Sequence, residues 1–381
     1  MVARRVSFLT LVAALVLLGG LALGAACATA ATRDRQTATR RAEMLRRGIN
    51  LSGWFAHGST DPARLQSAVT ADDVQRIRRM GFDHVRLPVD PVVLAPSGTF
   101  EPVDPDALYY LEDAVRLVLD GGLAIVVDLH PDESFGLRLP AEPATLDRLA
   151  ALWTRLARRL GAHDPDRVYF EALNEPGITD AATWARIQGR LVAAIRQGAP
   201  HHTIVATGHA WSGVEHLEAL RPLDDPNVIY AFHLYEPYPF THQGAAWASE
   251  PVGGLSRVPY PSSPAAVAPA LATAASPAAR ELLTAYAEQR WDAAAIERLI
   301  DRAAAWRDRY GVSIVCTEFG AFRAASPADD RATWLRDVRT ALERRQIGWT
   351  AWEYAGGFGV VDGPAGQRII HAQTARALLG D

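Results

Sequence analysis

Two apolar runs end in a glutamate. "VYFEALNEPG", residues 168–177, brings Asn174 and Glu175 to its tip, and "VSIVCTEFG", residues 312–320, brings Glu318. Two carboxylates held at strand ends suit hydrolysis of a glycosidic bond, in which one acid protonates the leaving oxygen and a second carboxylate works at the anomeric carbon. The Asn-Glu-Pro tripeptide alone fits a capped turn equally well. Other polar residues decide between the two: Arg86, His130, His209, His233, Tyr235 and Trp352 also fall at or near the C-terminal ends of their own apolar runs. Taken singly, each is compatible with a satisfied core or surface residue. Together they converge if those runs are strands that open on one mouth.

Other acids compete for the same roles. Glu171 shares the strand face of Glu175, but four residues at ~3.3 Å each place it ~13 Å deeper, so it reads as a buried acid for Arg86 to pair with. Asp128 has a similar place two residues below His130. Glu353 has the opposite parity to Trp352 and is expected to point away from the mouth.

The elements that position these groups show as an alternation. β-type runs begin at Gly48, His84, Ala124, Val168, Thr203, Asn227, Val312 and Gly348. Amphipathic stretches such as "ALYYLEDAVRLVLDGG" and "TLDRLAALWTRLARRLG" lie between most of them, several closed by glycine. Near-continuous apolar strands that alternate with helices imply a parallel sheet covered by helices, and eight units of roughly 35 to 45 residues fit a single (β/α)8 TIM barrel. A doubly wound sheet is the competing α/β arrangement. It calls for a glycine-rich phosphate loop after the first strand, which "GINLSGWFAHGS" does not supply.

The connection after the sixth strand, residues 236–279, is far longer than the others. Its "FTHQGAAW" half is expected to lie ordered against the mouth with His242 or Trp247 in the cleft, and its "SSPAAVAPALATAASPAA" half to cross the outer surface as a mobile strap. Trp54, Trp211 and Trp247 lie near or beyond strand tips and are candidates for stacking on further sugar rings.

Composition narrows the class. With 49% hydrophobic and 22% charged residues, the 381-residue chain can bury a sizeable core, and a net charge of -4 argues against nucleic acid as a partner. Every basic side chain other than histidine is arginine, which excludes Schiff-base lysine chemistry. Arg4 and Arg5 precede an uncharged stretch from Val6 to Thr32, read as a signal peptide over residues 1–30, with an uncleaved membrane anchor as the alternative. "LGAAC" sets leucine one place too far from Cys27 for a lipoprotein box. Cleavage after Ala30 leaves Cys316 alone, so no internal disulfide is expected. Residues 31–47 read as an Arg-rich solvated linker, and 48–381 as the catalytic domain of a secreted or periplasmic monomer without metal or other cofactor.

"RLPV", "DLH", "FEALNEP", "HLY", "TEFG" and the strand-eight tryptophan together resemble family 5 of the glycoside hydrolases, the cellulase-like retaining glycosidases. The resemblance runs from Gly48 to about Leu379. It implies Glu175 as general acid/base and Glu318 as nucleophile. Arg86 and Tyr235 would hold Glu318 ionised, Asn174 would bond the sugar 2-hydroxyl, His130 and His233 would line the cleaved-sugar subsite, and Trp352 would floor it. A β-1,4-glucan is the substrate this implies. β-1,3-glucan, mannan, and a carbohydrate-binding barrel without activity are the alternatives; a metal-dependent hydrolase lacks its His-x-His pair on strand one.

Overall fold

The computed structural model describes residues 29–56 and 60–380, so the expected signal segment lies almost wholly outside the described residues. Eight parallel strands close into a barrel in sequence order: β1 (Arg47–Asn50), β2 (His84–Val89), β3 (Ala124–Leu129), β4 (Val168–Glu171), β5 (Ile204–Thr207), β6 (Val228–Leu234), β7 (Ser313–Phe319) and β8 (Gly348–Ala351). β8 returns to pair with β1, with Gly48 opposite Thr350. Every residue of β2, β3 and β6 is buried because side chains fill one face and helices cover the other. This is the expected TIM barrel.

The helices that follow successive strands are α1 (Ala71–Met80), α2 (Pro105–Asp120), α3 (Pro143–Leu160), α4 (Ala181–Gly198) and the short α5 (Val214–Glu218). After the long connection come α8 (Ala293–Tyr310), α9 (Ala328–Arg344) and α10 (Ala372–Leu379). α3 shows how sequence makes such a layer. Pro143 starts it, Gly161 ends it, and Leu149, Leu152, Trp153, Leu156 and Leu160 form its buried stripe.

Three expectations are corrected. The first run, "GINLSGWF" at residues 48–55, reads as a strand to Phe55 but leaves the sheet at Leu51, and Ser52–Phe55 form a helical turn that buries Trp54 and Phe55. The supposed linker is helical from residue 29 to 42. Its Ala38, with Leu45 beyond it, packs against Val126, Tyr169, Val205, Ile229 and Val315 at the floor of the barrel. Arg41, 4% exposed, donates to Asp166 at 2.8 Å and to the His201 carbonyl at 2.7 Å. Arginine richness hid an apolar stripe at Ala38, Ala42 and Leu45.

The third correction is the strap. Residues 264–289 form two helices, α6 (Pro264–Ala272) and α7 (Pro277–Gln289), each capped by a serine, Ser263 or Ser276, with proline at the first helical position. Val267, Leu283 and Tyr286 are buried, and the Tyr286 hydroxyl donates to the Pro259 carbonyl at 2.6 Å. Deleting 262–279 would therefore strip packed structure. Leu283→Ala is expected to cost about 2–5 kcal/mol in urea unfolding, and a loss below about 0.5 kcal/mol would show that the helical pair is only loosely docked.

Candidate active site

Indole groups from the helix layer fix the strand tips. Trp153 on α3 donates to the Ala172 carbonyl at 2.7 Å, and Trp184 on α4 donates to the Thr207 carbonyl at 2.9 Å. Between these two points the Thr207 hydroxyl donates to the Leu173 carbonyl, and the backbone amide of Asn174 donates to the Leu129 carbonyl at the end of the adjacent β3. The backbone carrying Asn174 and Glu175 is thus held from three neighbouring elements. On the other side, the register between β6 and β7 slips after Phe232, leaving Thr317 without a partner and setting His233 opposite Glu318.

These elements bring the expected groups together. One carboxylate oxygen each from Glu175 and Glu318 and a ring nitrogen of His233 all lie within 4.8 Å of one another. His233 Nδ1 is 2.7 Å from Glu175 and 3.8 Å from Glu318. Glu318 accepts from Arg86 Nη1 at 2.7 Å and from the Tyr235 hydroxyl at 2.9 Å. Its side chain is 6% exposed whereas that of Glu175 is 23% exposed, so Glu175 is the more accessible of the two. Among the described residues this trio is the one set of donors close enough to hold a metal ion.

Arg86 sits at the centre of the network beneath them. It forms a two-pronged bond to Glu171, with both distances 2.8 Å, and also donates to Asn50 and Asn174 and approaches Asp128 at 2.9 Å. The parity argument for Glu171 agrees with this arrangement. Burial pushes Asp128 up to about 7 against the pull of Arg86, and it raises Glu171 as well. Glu318 goes the other way. Burial would raise it, but the charges of His233 and Arg86, with smaller help from His130 and the Tyr235 hydroxyl, hold it down at about 2.

His130 is held near 4 by burial, which keeps its ring neutral at ordinary pH. Its Nδ1 lies 2.9 Å from Asp128 and its Nε2 3.2 Å from the Asn174 amide, an arrangement that places the ring proton on Nδ1. The ring stacks against Trp352 with centroids 5.7 Å apart and planes 20° apart, making a flat wall beside the two glutamates.

The three outlying tryptophans separate. Trp54 is 3% exposed and its indole donates to the Leu65 carbonyl at 2.7 Å, so it packs in the wall of a cavity of about 440 Å³ beside the mouth and is no open platform. Trp211 and Trp247 are 54% and 63% exposed. Trp247 stands edge-on to Phe322 and leans on Phe358, which in turn contacts Tyr235. His242 also packs on Tyr235 and stacks on Tyr238, so the start of the insertion is ordered against the site.

His209 lies apart from the two glutamates' cluster, against His216. Glu353 is engaged in the wall, accepting from the Ser52 hydroxyl and the Phe358 amide. Gly356 is required beside it by its φ of 147°, which L side chains rarely adopt, and a Cβ there would also meet the Glu353 carboxylate. Asn50 was missed from the sequence. It is fully buried at the end of β1 and ties Arg86 to the Thr317 and Ala351 carbonyls, and its signal was an amide closing the first apolar run.

Comparison with known proteins extends this picture. The sequence model described as "Cellulase (glycosyl hydrolase family 5)" matches residues 45–357. Cellodextrinase A of Ruminococcus flavefaciens is 30% identical over 313 residues, covering 79% of this chain and 83% of that protein. Endoglucanase 3 of Fibrobacter succinogenes is 27% identical over 339 residues, and the chain spans about half of its length, 51%. A crystal structure of Thermotoga maritima Cel5A in complex with mannotriose superposes with a TM-score of 0.72 at 25% identity, covering 89% of this chain and 99% of that one. With a family match over most of the barrel and a relative of this identity and coverage, the chain belongs to the cellulase family, glycosyl hydrolase family 5.

Proposed function

We propose that this chain hydrolyses internal β-1,4 bonds of a glucan with net retention, Glu318 acting as nucleophile and Glu175 as acid and base. The observation that carries the reading is that one carboxylate oxygen of Glu175 lies within 4.8 Å of one of Glu318. Retaining enzymes set them about 5–5.5 Å apart for direct attack, whereas inverting enzymes leave roughly 6.5–9.5 Å for a water. Glu318 is the better nucleophile because Arg86 and Tyr235 keep it ionised and aimed. Glu175 is the better proton donor to a departing sugar because solvent and ligand reach it. Trp352 with His130 supplies the apolar wall for the sugar ring whose bond is cut, and Asn174 has an amide hydrogen to offer its 2-hydroxyl.

The relatives named for cellodextrin and endoglucan cleavage favour glucan. The mannotriose complex of the Thermotoga protein supports mannan as the second reading. An extracytoplasmic place of action suits a polymeric substrate and the uncharged stretch after Arg5. The test is proton NMR of the first-formed product from a panel of defined β-glucans and mannans. A β-anomer from a β-1,4-glucan is expected, and an α-anomer would sink the double-displacement reading.

The pH profile follows from the direction of the Glu318 shift. Held at about 2, Glu318 stays ionised through the weakly acidic range, so its acid limb in kcat/KM should fall below the ordinary carboxylate range. Tyr235→Phe removes a bond that favours the charged form, so that limb should move to higher pH. An unmoved limb in the variant would mean that a different group controls it.

A further inference from the structure

Gly136 occupies a place that its own backbone does not explain. It lies inside the short helix Glu133–Arg138, which follows β3, and glycine is a poor helix former because it gives up more conformational freedom than alanine. Its φ lies outside the left-handed region, so no turn demands it. Space does. A Cβ there would overlap the carbonyl oxygen of Pro176 and stand 2.6 Å from its carbonyl carbon, closer than non-bonded carbons approach. Pro176 is the residue after Glu175. The helix therefore abuts the backbone that carries one of the two glutamates.

Neither partner is free to retreat. On the Pro176 side, the Gly177 amide donates to the Ala210 carbonyl at 3.0 Å, and the Asn174 backbone amide donates to the Leu129 carbonyl at 2.8 Å. On the Gly136 side, Phe135 is 2% exposed and meets Phe100 edge-on, with ring centroids 5.3 Å apart and planes 88° apart. Phe100 is buried in the connection between β2 and α2 at a left-handed φ of 62°, which a bulky residue keeps only where its surroundings over-determine it. The Arg138 guanidinium lies 5.3 Å from the Phe135 ring centre, and the Asp132 carboxylate accepts from the Phe135 amide at 3.1 Å. A close-packed column thus runs from Phe100 through Phe135 and Gly136 to Pro176.

Glu175 depends on such backing more than Glu318 does. Glu318 is gripped at its carboxylate by Arg86 and Tyr235, whereas the Glu175 carboxylate, 23% exposed, bonds His233 and takes the rest of its placement from the backbone. We infer that Gly136 is a positioning residue for the general acid: the bare Cα lets the helix after β3 hold Glu175 where its proton reaches the departing oxygen. The inference rests on the assignment of Glu175 as acid and base given above. An alanine at 136 forces Pro176 or the helix to shift by roughly 1 Å or more. Misplacing a catalytic group by that much costs about 100-fold in the step that uses it. Only the step that needs the proton is affected.

The test measures kcat/KM on phenyl β-cellobioside, whose leaving group needs a proton, and on dinitrophenyl β-cellobioside, whose leaving group departs as a stable anion. The dinitrophenyl-to-phenyl ratio, taken on one preparation, is independent of how much of a variant is folded. Glu175→Ala should raise that ratio about 100-fold or more, and Gly136→Ala about ten-fold. Phe135→Leu, which loosens the column without touching Pro176, should raise it about three-fold. Equal losses on both substrates in Gly136→Ala, or an unchanged ratio, overturn the positioning role. If that variant yields no active protein, an unchanged ratio in Phe135→Leu overturns it instead. A ratio in Glu175→Ala like that of the wild type overturns the acid assignment beneath the inference, and the inference with it.

Discussion

Glu318→Gln should lose on the order of 10⁴-fold or more in turnover, and it should fail to form a covalent adduct with a fluorinated, mechanism-based sugar. The size of the effect follows from what is removed. The side chain accepts from Arg86 at 2.7 Å and from Tyr235 at 2.9 Å, and an amide of the same shape fills the space without offering a charged oxygen to the anomeric carbon. Glu175→Ala should behave differently. It should still label at Glu318, and with an activated leaving group it should regain turnover in azide, which enters the space left by the acid/base and needs no proton removed. Mapping the label by mass spectrometry decides the matter. A label on Glu175 or Glu353 would falsify the assignment.

The second large effect concerns folding. Arg86→Met should destabilise the protein by about 3–5 kcal/mol, because it leaves buried carboxylates without their cation. Asp128 and Glu171 are fully buried and Glu318 nearly so, and Arg86 reaches all three within 2.9 Å. The pH dependence has a definite sign. Burial already raises Asp128 and Glu171, and loss of Arg86 raises them further. A carboxylic acid that binds its proton more tightly when folded favours folding at low pH, and loses that contribution as pH rises through its folded-state value. The deficit of the variant should therefore be largest near neutrality and smaller at pH about 5, measured by urea unfolding at both. Equal deficits at the two pH values would mean that methionine fails through packing and that charge is not the issue.

Much of the site was readable because its polar residues close apolar runs. "RLPV", "DLH" and "TEFG" interrupt a pattern that otherwise demands burial, and such an interruption needs a partner or a task. Strand parity then placed Glu171 below Glu175 and within reach of Arg86, as the bond at 2.8 Å bears out. Parity could not do the same for Trp54, because the strand ends at Asn50 and a helical turn rotates the indole inward. The insertion was misread on composition alone. An Ala/Pro-rich stretch suggests a strap until its Ser263-Pro264 and Ser276-Pro277 pairs are taken as helix starts, each pair supplying a cap and a proline that has no amide to leave unbonded. Arg331 lay beyond any such reading. Buried on α9, it donates to the Ala321 and Phe358 carbonyls and to Thr374, joining loops that only the closed barrel brings together.

The helix at the barrel floor covers the pole opposite the two glutamates. Arg35 reaches the Gly311 carbonyl and Thr39 meets Ser313, both at the entrance to β7, so the described start of the helix lies at the pole opposite Glu175 and Glu318. We propose that an anchor ahead of this helix, if the uncharged stretch after Arg5 is retained, would leave the opposite face of the barrel open like the mouth of a cup. A polysaccharide strand can then be threaded across the mouth without steric conflict at the point of attachment.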